Sequence, residues 1–235
     1  MLRAAQDRWR ESIALAHLAR VRRDARELPA AQATAEGALA AARLVGEDTV
    51  LGFALGILGS VLHQRGRSGP AGELVEEALT HYRAIGYREG EASALQATGR
   101  LLLDRSDPDA ARQAFGSALE MCLRLGHRGG IAASLEGLAQ AFLASGKDAQ
   151  AAVFFGAAAA QRDLLGAPEP AAQRSAVDEV RTRLLASLGA DQLQRATRRG
   201  AETDVEDLLK PQCPTAATGT PAPARSAVPG VAPPS

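Results

Sequence analysis

The stretch VLGFALGILGSVLHQRGRSGPAGELVEEALTHYRAIG, residues 50–86, decides the fold. Over Val50–Arg65, the residues Leu51, Ala54, Leu55, Leu58, Val61 and Leu62 recur at i, i+3, i+4 and i+7, an apolar stripe of helical period. Gly66 breaks the stripe, and Ser68-Gly69-Pro70 reads as a turn and a new helix start. A second stripe follows over Ala71–Ile85, with Leu74, Val75, Ala78, Leu79 and Tyr82, and stops at Gly86. Glycine just past the last apolar residue suits the left-handed position that ends a helix, where a side chain would clash. The stretch is a helical hairpin.

The hairpin recurs. Glycine stands at Gly46, Gly86, Gly126 and Gly166, a spacing of 40 residues without slippage. An aliphatic residue precedes each (Val45, Ile85, Leu125, Leu165), and an alanine stands eight before it (Ala38, Ala78, Ala118, Ala158). Leu15, Leu55, Leu95 and Leu135 share a column, and Ala19, Gly59, Gly99 and Ala139 share a column of small residues. A fixed period of this length marks stacked repeats, each packed mainly on its neighbours. The other units read as Arg8–Arg23 with Leu28–Val45, Glu91–Asp104 with Pro108–Leu125, and Gly130–Ser145 with Asp148–Leu165. Asp107 before Pro108 supplies a helix cap, and Asp148 is expected to supply another. No segment carries a period-two run of β-branched residues, so the class is all-α.

The two ends differ from the middle. Stepping the glycine column back lands on Gln6, so the chain is expected to open partway through an array. Trp9 and Ile13 then have nothing upstream to cover them. That leaves the first unit open to self-association, or makes the chain a piece of a longer protein. Past Gly166 the period stops. Glu169–Leu188 reads as a longer amphipathic helix able to cap the stack, followed by Ala190–Arg199 and Thr203–Leu209, divided by Gly200. From Pro211 the chain holds seven prolines and a single charge, Arg225, a composition with nothing to bury that is expected to be disordered. The domain reading is therefore 1–166 repeat array, 167–210 helical cap and 211–235 tail.

Composition narrows the function classes. Aromatics are 3% of the chain while the apolar fraction is 46%, so Ala and Leu form the core and helices must approach closely. Basic and acidic residues cancel at 27 each, leaving no global field toward nucleic acid or a membrane surface. Two cysteines, Cys122 and Cys213, make no disulfide framework and suit a cytoplasmic setting. There is no 18-residue apolar run and no apolar leader after Met1-Leu2-Arg3, so neither a membrane span nor a secretion signal is expected.

The units resemble tetratricopeptide repeats of the longer, 40-residue variety over Arg8–Ala167. The likeness rests on the small residue of the first helix, the alanine of the second and the closing glycine. The glycine between helices is present at Gly66 and Gly146 but replaced by Arg26 and Ser106. The resemblance implies a right-handed solenoid of about four units with capping helices, acting as a protein- or peptide-binding scaffold. A further resemblance covers Gly130–Ala139, Ala151–Ala158, Leu165-Gly166-Ala167-Pro168, Leu188-Gly189 and Arg199-Gly200. This series looks like the C-terminal end of bacterial signalling ATPase regulators of the LuxR and MalT-like type. It implies a regulatory or sensor role in signalling, or a fragment of such a regulator without its ATPase and DNA-binding modules.

Catalytic motifs are lacking. Ser145-Gly146-Lys147-Asp148 has neither the upstream glycine nor the hydroxyl of a phosphate loop. His17, His63, His81 and His127 show no metal-ligand spacing, so no metal or cofactor is expected and no enzyme activity is assigned. Arg20, Arg22, Arg23 and Arg26 cluster without interleaved aromatics, and read as solvated charges complementing a helix C-terminus rather than nucleic-acid contacts. The first helices of the units line the inner groove of such a solenoid, where a peptide or helix can lie across several units. Gln64, Arg65, Gln96, Arg100, Glu136 and Gln140 are the candidate residues for reading a partner there.

Overall fold

The computed structural model describes residues 2–166 and 171–210. Among these, every element is a helix. The order is α1 (Leu2–Asp24), α2 (Leu28–Val45), α3 (Asp48–Gln64), α4 (Ser68–Ala84), α5 (Arg88–Asp104), α6 (Pro108–Leu125), α7 (Arg128–Ala144), α8 (Asp148–Leu165), α9 (Ala171–Glu202) and α10 (Val205–Leu209). Each odd helix up to α7 pairs with the even helix after it, and each hairpin packs on the next. The odd helices also touch one another in sequence, which makes them the inner layer and the even helices the outer one. The expected all-α hairpin solenoid is what the chain forms. The tail from 211 and the junction 167–170 lie outside the described residues.

The breaks between helices are left-handed turns. Gly46, Gly86, Gly126 and Gly166 close the hairpins with φ between 58° and 73°. The turns inside the hairpins need the same conformation, and Gly66 and Gly146 supply it. Arg26 (φ 64°) and Ser106 (φ 59°) hold it without being glycine, at a cost of about 1–2 kcal/mol each for the Cβ against the following carbonyl.

One of the two expected helix caps forms and the other does not. Asp107 caps α6, its side chain accepting from the Ala110 amide at 3.0 Å. Asp148 does not cap α8. Lys147 occupies the cap position without a side-chain bond, and Asp148 sits inside the first turn, where its charge faces the positive end of the helix dipole.

Packing is close at and beside the small-residue column. The ring of Phe115 on α6 is 0% exposed. A Cβ on Gly99 of α5 would come within 2.7 Å of it, and one on Gly137 of α7 within 2.3 Å. The ring therefore fills the space that two glycines leave open. Ala19 and Ala139 are buried in the same column, and Gly59 meets Val75 and the backbone of Ala71. Ser12 of α1 donates to the Ala38 carbonyl of α2 at 2.9 Å, so even the buried hydroxyl of this layer is satisfied.

Beyond Gly166 the sequence period ends, but the architecture takes one more step. The helix α9 packs on α7 and α8 as α7 packs on α5 and α6. Val180 and Leu184 join Leu143, Ala151 and Ala152 in a core of their own. Gly189 (φ 73°, ψ 165°) kinks α9, and the segment after it returns along α8. Gly200 does not divide two helices as expected. It lies within α9, where a Cβ would stand 1.9 Å from the Val153 carbonyl oxygen; on α8, Gly156 likewise faces the Thr197 backbone at 2.0 Å. These two glycines let α8 and the end of α9 cross backbone to backbone. The start of α9 also touches α1, so the inner layer closes on itself.

Two substitutions test these packing and turn arguments. Replacing Gly99 by Leu should lower unfolding stability by more than about 2 kcal/mol through overpacking against Phe115, and an unchanged urea midpoint would contradict it. Ser106→Gly should raise stability by about 0.5–1 kcal/mol by relieving the left-handed turn; a lower midpoint would show that the turn is unstrained.

Candidate polar cavity on the inner face

The inner helices line a partly open cavity of about 420 Å³. It takes residues from α1, α3, α5, α7 and α9, with Phe115 of α6 reaching it between the glycines. The lining follows the repeat register. Arg20, Ser60, Arg100 and Gln140 stand 40 residues apart and all face it, as do Gln96, Glu136 and Ala176 in another column. Ala176 and Val177 bring α9 to the wall.

Five of the six residues expected to read a partner line this cavity: Gln64, Gln96, Arg100, Glu136 and Gln140. Arg65 does not. It follows α3 at its C-terminal cap and donates to Gln32 of α2, an exposed contact away from the cavity. The reason is angular, since Arg65 lies one residue, or about 100° of helix, past Gln64.

The five differ in what their polar groups already do. The Gln96 amide nitrogen donates to the Gly130 carbonyl at 2.9 Å and to Ser134 Oγ at 2.8 Å, tying α5 to α7. Glu136 accepts from Arg162 Nε at 2.7 Å and from Nη2 at 3.1 Å, a two-point ion pair that ties α7 to α8. Both residues are buried, and these bonds hold the frame. Gln64 and Arg100 are different. The Gln64 carbonyl oxygen is buried without a hydrogen-bond partner, and Arg100 forms no hydrogen bond or ion pair with a described residue. Burial and the like charge of Arg23 lower the Arg100 guanidinium to about 10, with Glu136 pulling the other way. Its side chain keeps a partial opening to the cavity while dense protein surrounds the rest.

Residues that the sequence reading left as solvated charge also belong here. Arg23 donates to Ser60 Oγ at 2.8 Å and pairs with Asp24 at 2.7 Å. Arg22 donates to Thr34, so Arg22 and Arg23 are bonded into the fold, whereas Arg20 and Arg26 are exposed as expected. On the far side, His63 Nε2 lies 3.0 Å from Asp104, which also accepts from Ser68 at 2.6 Å. Burial lowers the His63 pKa, and Arg100 adds to the effect; Asp104 opposes them and does not prevail. The signal that could have found Arg20 and Ser60 was the column they share with Arg100 and Gln140.

A second cavity of about 480 Å³ lies between α6, α7, α8, α9 and α10. Two of its cations are already engaged: Arg112 pairs with Asp109 and stacks over Phe142, and Lys210 pairs with Asp207. None of the expected partner-reading residues lines it. Among the described residues there is no cluster of His, Cys, Asp and Glu able to hold a metal ion, and no helix long and apolar enough to cross a membrane.

Residues 51–124 match a family model described as Tetratricopeptide repeat. The fold is similar to that of BtubC (BKLC) from P. vanneervenii, whose crystal structure superposes with a TM-score of 0.59 at 17% identity, covering 97% of this chain and 94% of that one. At that identity the likeness speaks for the fold alone. No curated protein matches the chain in sequence. The matched repeats support a tetratricopeptide-repeat protein. They end at residue 124, and the expected likeness to signalling ATPase regulators, which lies beyond it, is not shown by them.

The His63 environment has a measurable consequence. Its folded pKa lies below the ordinary 6.5, so the unfolded chain binds the proton more readily. Stability from this group is full above the unfolded value and is lost as pH falls through it toward the folded one. Between about pH 7.5 and 5 the melting temperature of the wild type should fall more steeply than that of His63→Asn; parallel curves would show a solvated imidazole.

Proposed function

We propose that the chain is a regulatory scaffold that captures a protein or peptide partner on its inner face, in a bacterial signalling setting. Tetratricopeptide repeats are suited to protein interaction, because stacked hairpins present a continuous concave surface larger than any one unit. The observation that carries the reading is the polar column Arg20, Ser60, Arg100 and Gln140 facing the cavity in an otherwise Ala- and Leu-rich layer. Polar groups placed at one register across four units cost burial energy and contribute little to packing. They suit recognition of something laid across the units.

Within this reading the residues divide by role. Gln96 and Glu136 hold the inner helices in place, whereas Gln64, Arg100 and Gln140 make the contacts. Affinity comes from apolar surface at the rim, and selectivity from the few polar groups.

Capture from lysate of the native cell tests the assignment. Full-length chain and chain lacking residues 211–235 should retain the same partner, and the double variant Gln64→Ala, Gln140→Ala should lose it while keeping its helical circular dichroism. Retention by the double variant, with loss in the truncated chain, would move recognition from the inner face to the tail.

A further inference from the structure

We propose that the inner cavity is a binding site for a small anionic ligand, a carboxylate or phosphate compound whose negative group is seated on Arg100 and whose hydrogen-bond donor meets the Gln64 carbonyl oxygen. The inference rests on the inner face being a recognition site, as proposed above, and names the ligand chemistry that Arg100, Gln64 and Gln140 fit there.

The charge inventory of the cavity is unbalanced in a specific way. Three carboxylates line it, and each already accepts a hydrogen bond from another side chain. Asp24 pairs with Arg23, Glu136 with Arg162, and Asp104 with His63 and Ser68. Three guanidinium groups line it as well, and only Arg23 has a carboxylate. Arg20 contacts the His17 ring at 3.2 Å and forms no ion pair with a described residue. Arg100 forms neither an ion pair nor a hydrogen bond with one. A guanidinium carries five N–H donors in a planar fork that fits two oxygens of one acid group. Withdrawn from water and unmatched, such a group is costly, and a ligand anion is what would offset the cost.

The second half of the site is the orphan acceptor. The Gln64 side chain lines the cavity and its carbonyl oxygen is buried with no donor, whereas Gln96 has its amide satisfied within the fold. Gln140 adds an amide that forms no hydrogen bond with a described residue. The complementary molecule thus presents an acid group to α5 and a hydroxyl or amine to α3. Phe53, Ile57 and Phe115 give its carbon skeleton apolar walls.

Size favours a small molecule as the occupant of the cavity itself. Ala176 and Val177 of α9 line it together with α1, and α9 touches α1, so the space is bounded at the end of the inner layer. The volume of about 420 Å³ falls in the range of about 300–1,000 Å³ usual for small-ligand sites. The column that places Arg100 beside Ser60 and Gln140 gives the ligand three polar anchors from three successive units.

Calorimetric titration of the full chain with succinate and, separately, inorganic phosphate tests the site. Saturable binding of at least one is expected, and which one distinguishes a carboxylate from a phosphate ligand. Arg100→Gln should weaken it at least tenfold, and Gln64→Leu should leave succinate and phosphate, which lack the donor, nearly unaffected. With no anion present, Arg100→Gln should melt at or above the wild-type temperature, since it removes an unmatched buried charge. Three results would overturn the proposal: no saturable binding of either anion, equal binding by Arg100→Gln, or a large drop in its melting temperature without ligand. Uptake of an acidic peptide such as oligoglutamate, with neither small anion bound, would overturn it in favour of a protein segment.

Discussion

The ring of Phe115 lies between Gly99 and Gly137 on neighbouring inner helices, and the spacing of the layers follows from that contact. A chain this poor in aromatics cannot fill wide gaps between helices, so its helices must come close. Closeness needs small residues at the crossing points, and the column Ala19, Gly59, Gly99 and Ala139 supplies one per unit. Where both partners are small, as at Gly156 and Gly200, backbones meet directly. Where one is large, its ring takes the whole gap. Dense packing of this kind transmits strain and leaves few voids, which makes the inner cavity an exception to be explained rather than a flaw of a loose core.

The explanation lies in what lines it. Polar residues recur there at the repeat spacing, and most are tied into a network that fixes the inner helices relative to one another. Gln96 reaches from α5 to α7, Arg23 from α1 to α3, and Glu136 joins α7 to Arg162 of α8. These bonds have long sequence separation and connect different units, so they set the angle at which hairpins stack. Against that satisfied background the unmatched Arg100 and Gln64 stand out. Buried polar groups are normally paired, and two exceptions facing one space are a coherent pair.

Much of the fold was legible because repetition supplies its own alignment. Four copies of one pattern showed which glycines end helices, and the left-handed φ values of Gly46, Gly86, Gly126 and Gly166 follow from that. The helices α2, α6 and α8 have the bounds read from the sequence. The site was legible in part. Helical facing placed five of six residues on one cavity, but Arg65 turned away because a single step along a helix changes its face. Arg22 and Arg23 of α1 escaped for a different reason: like charges in a cluster read as solvated until their partners, Thr34 and Ser60, are known to be near. Gly200 misled in a third way. Glycine within a helical pattern signals a break or a close approach, and only the facing backbone of Val153 distinguishes the two.

The meeting of α1 with α9 bears on how the molecule comes to be. Apart from α10 on α6, the other contacts between helices join near neighbours in the chain, and such contacts form early because little loop entropy is lost. Closing the inner layer instead brings residues from opposite ends of the described chain together, the step with the largest entropic cost. It comes last, after the hairpins have stacked. The walled cavity therefore exists only in a molecule that has completed its assembly, and anything that recognises that space recognises finished copies alone.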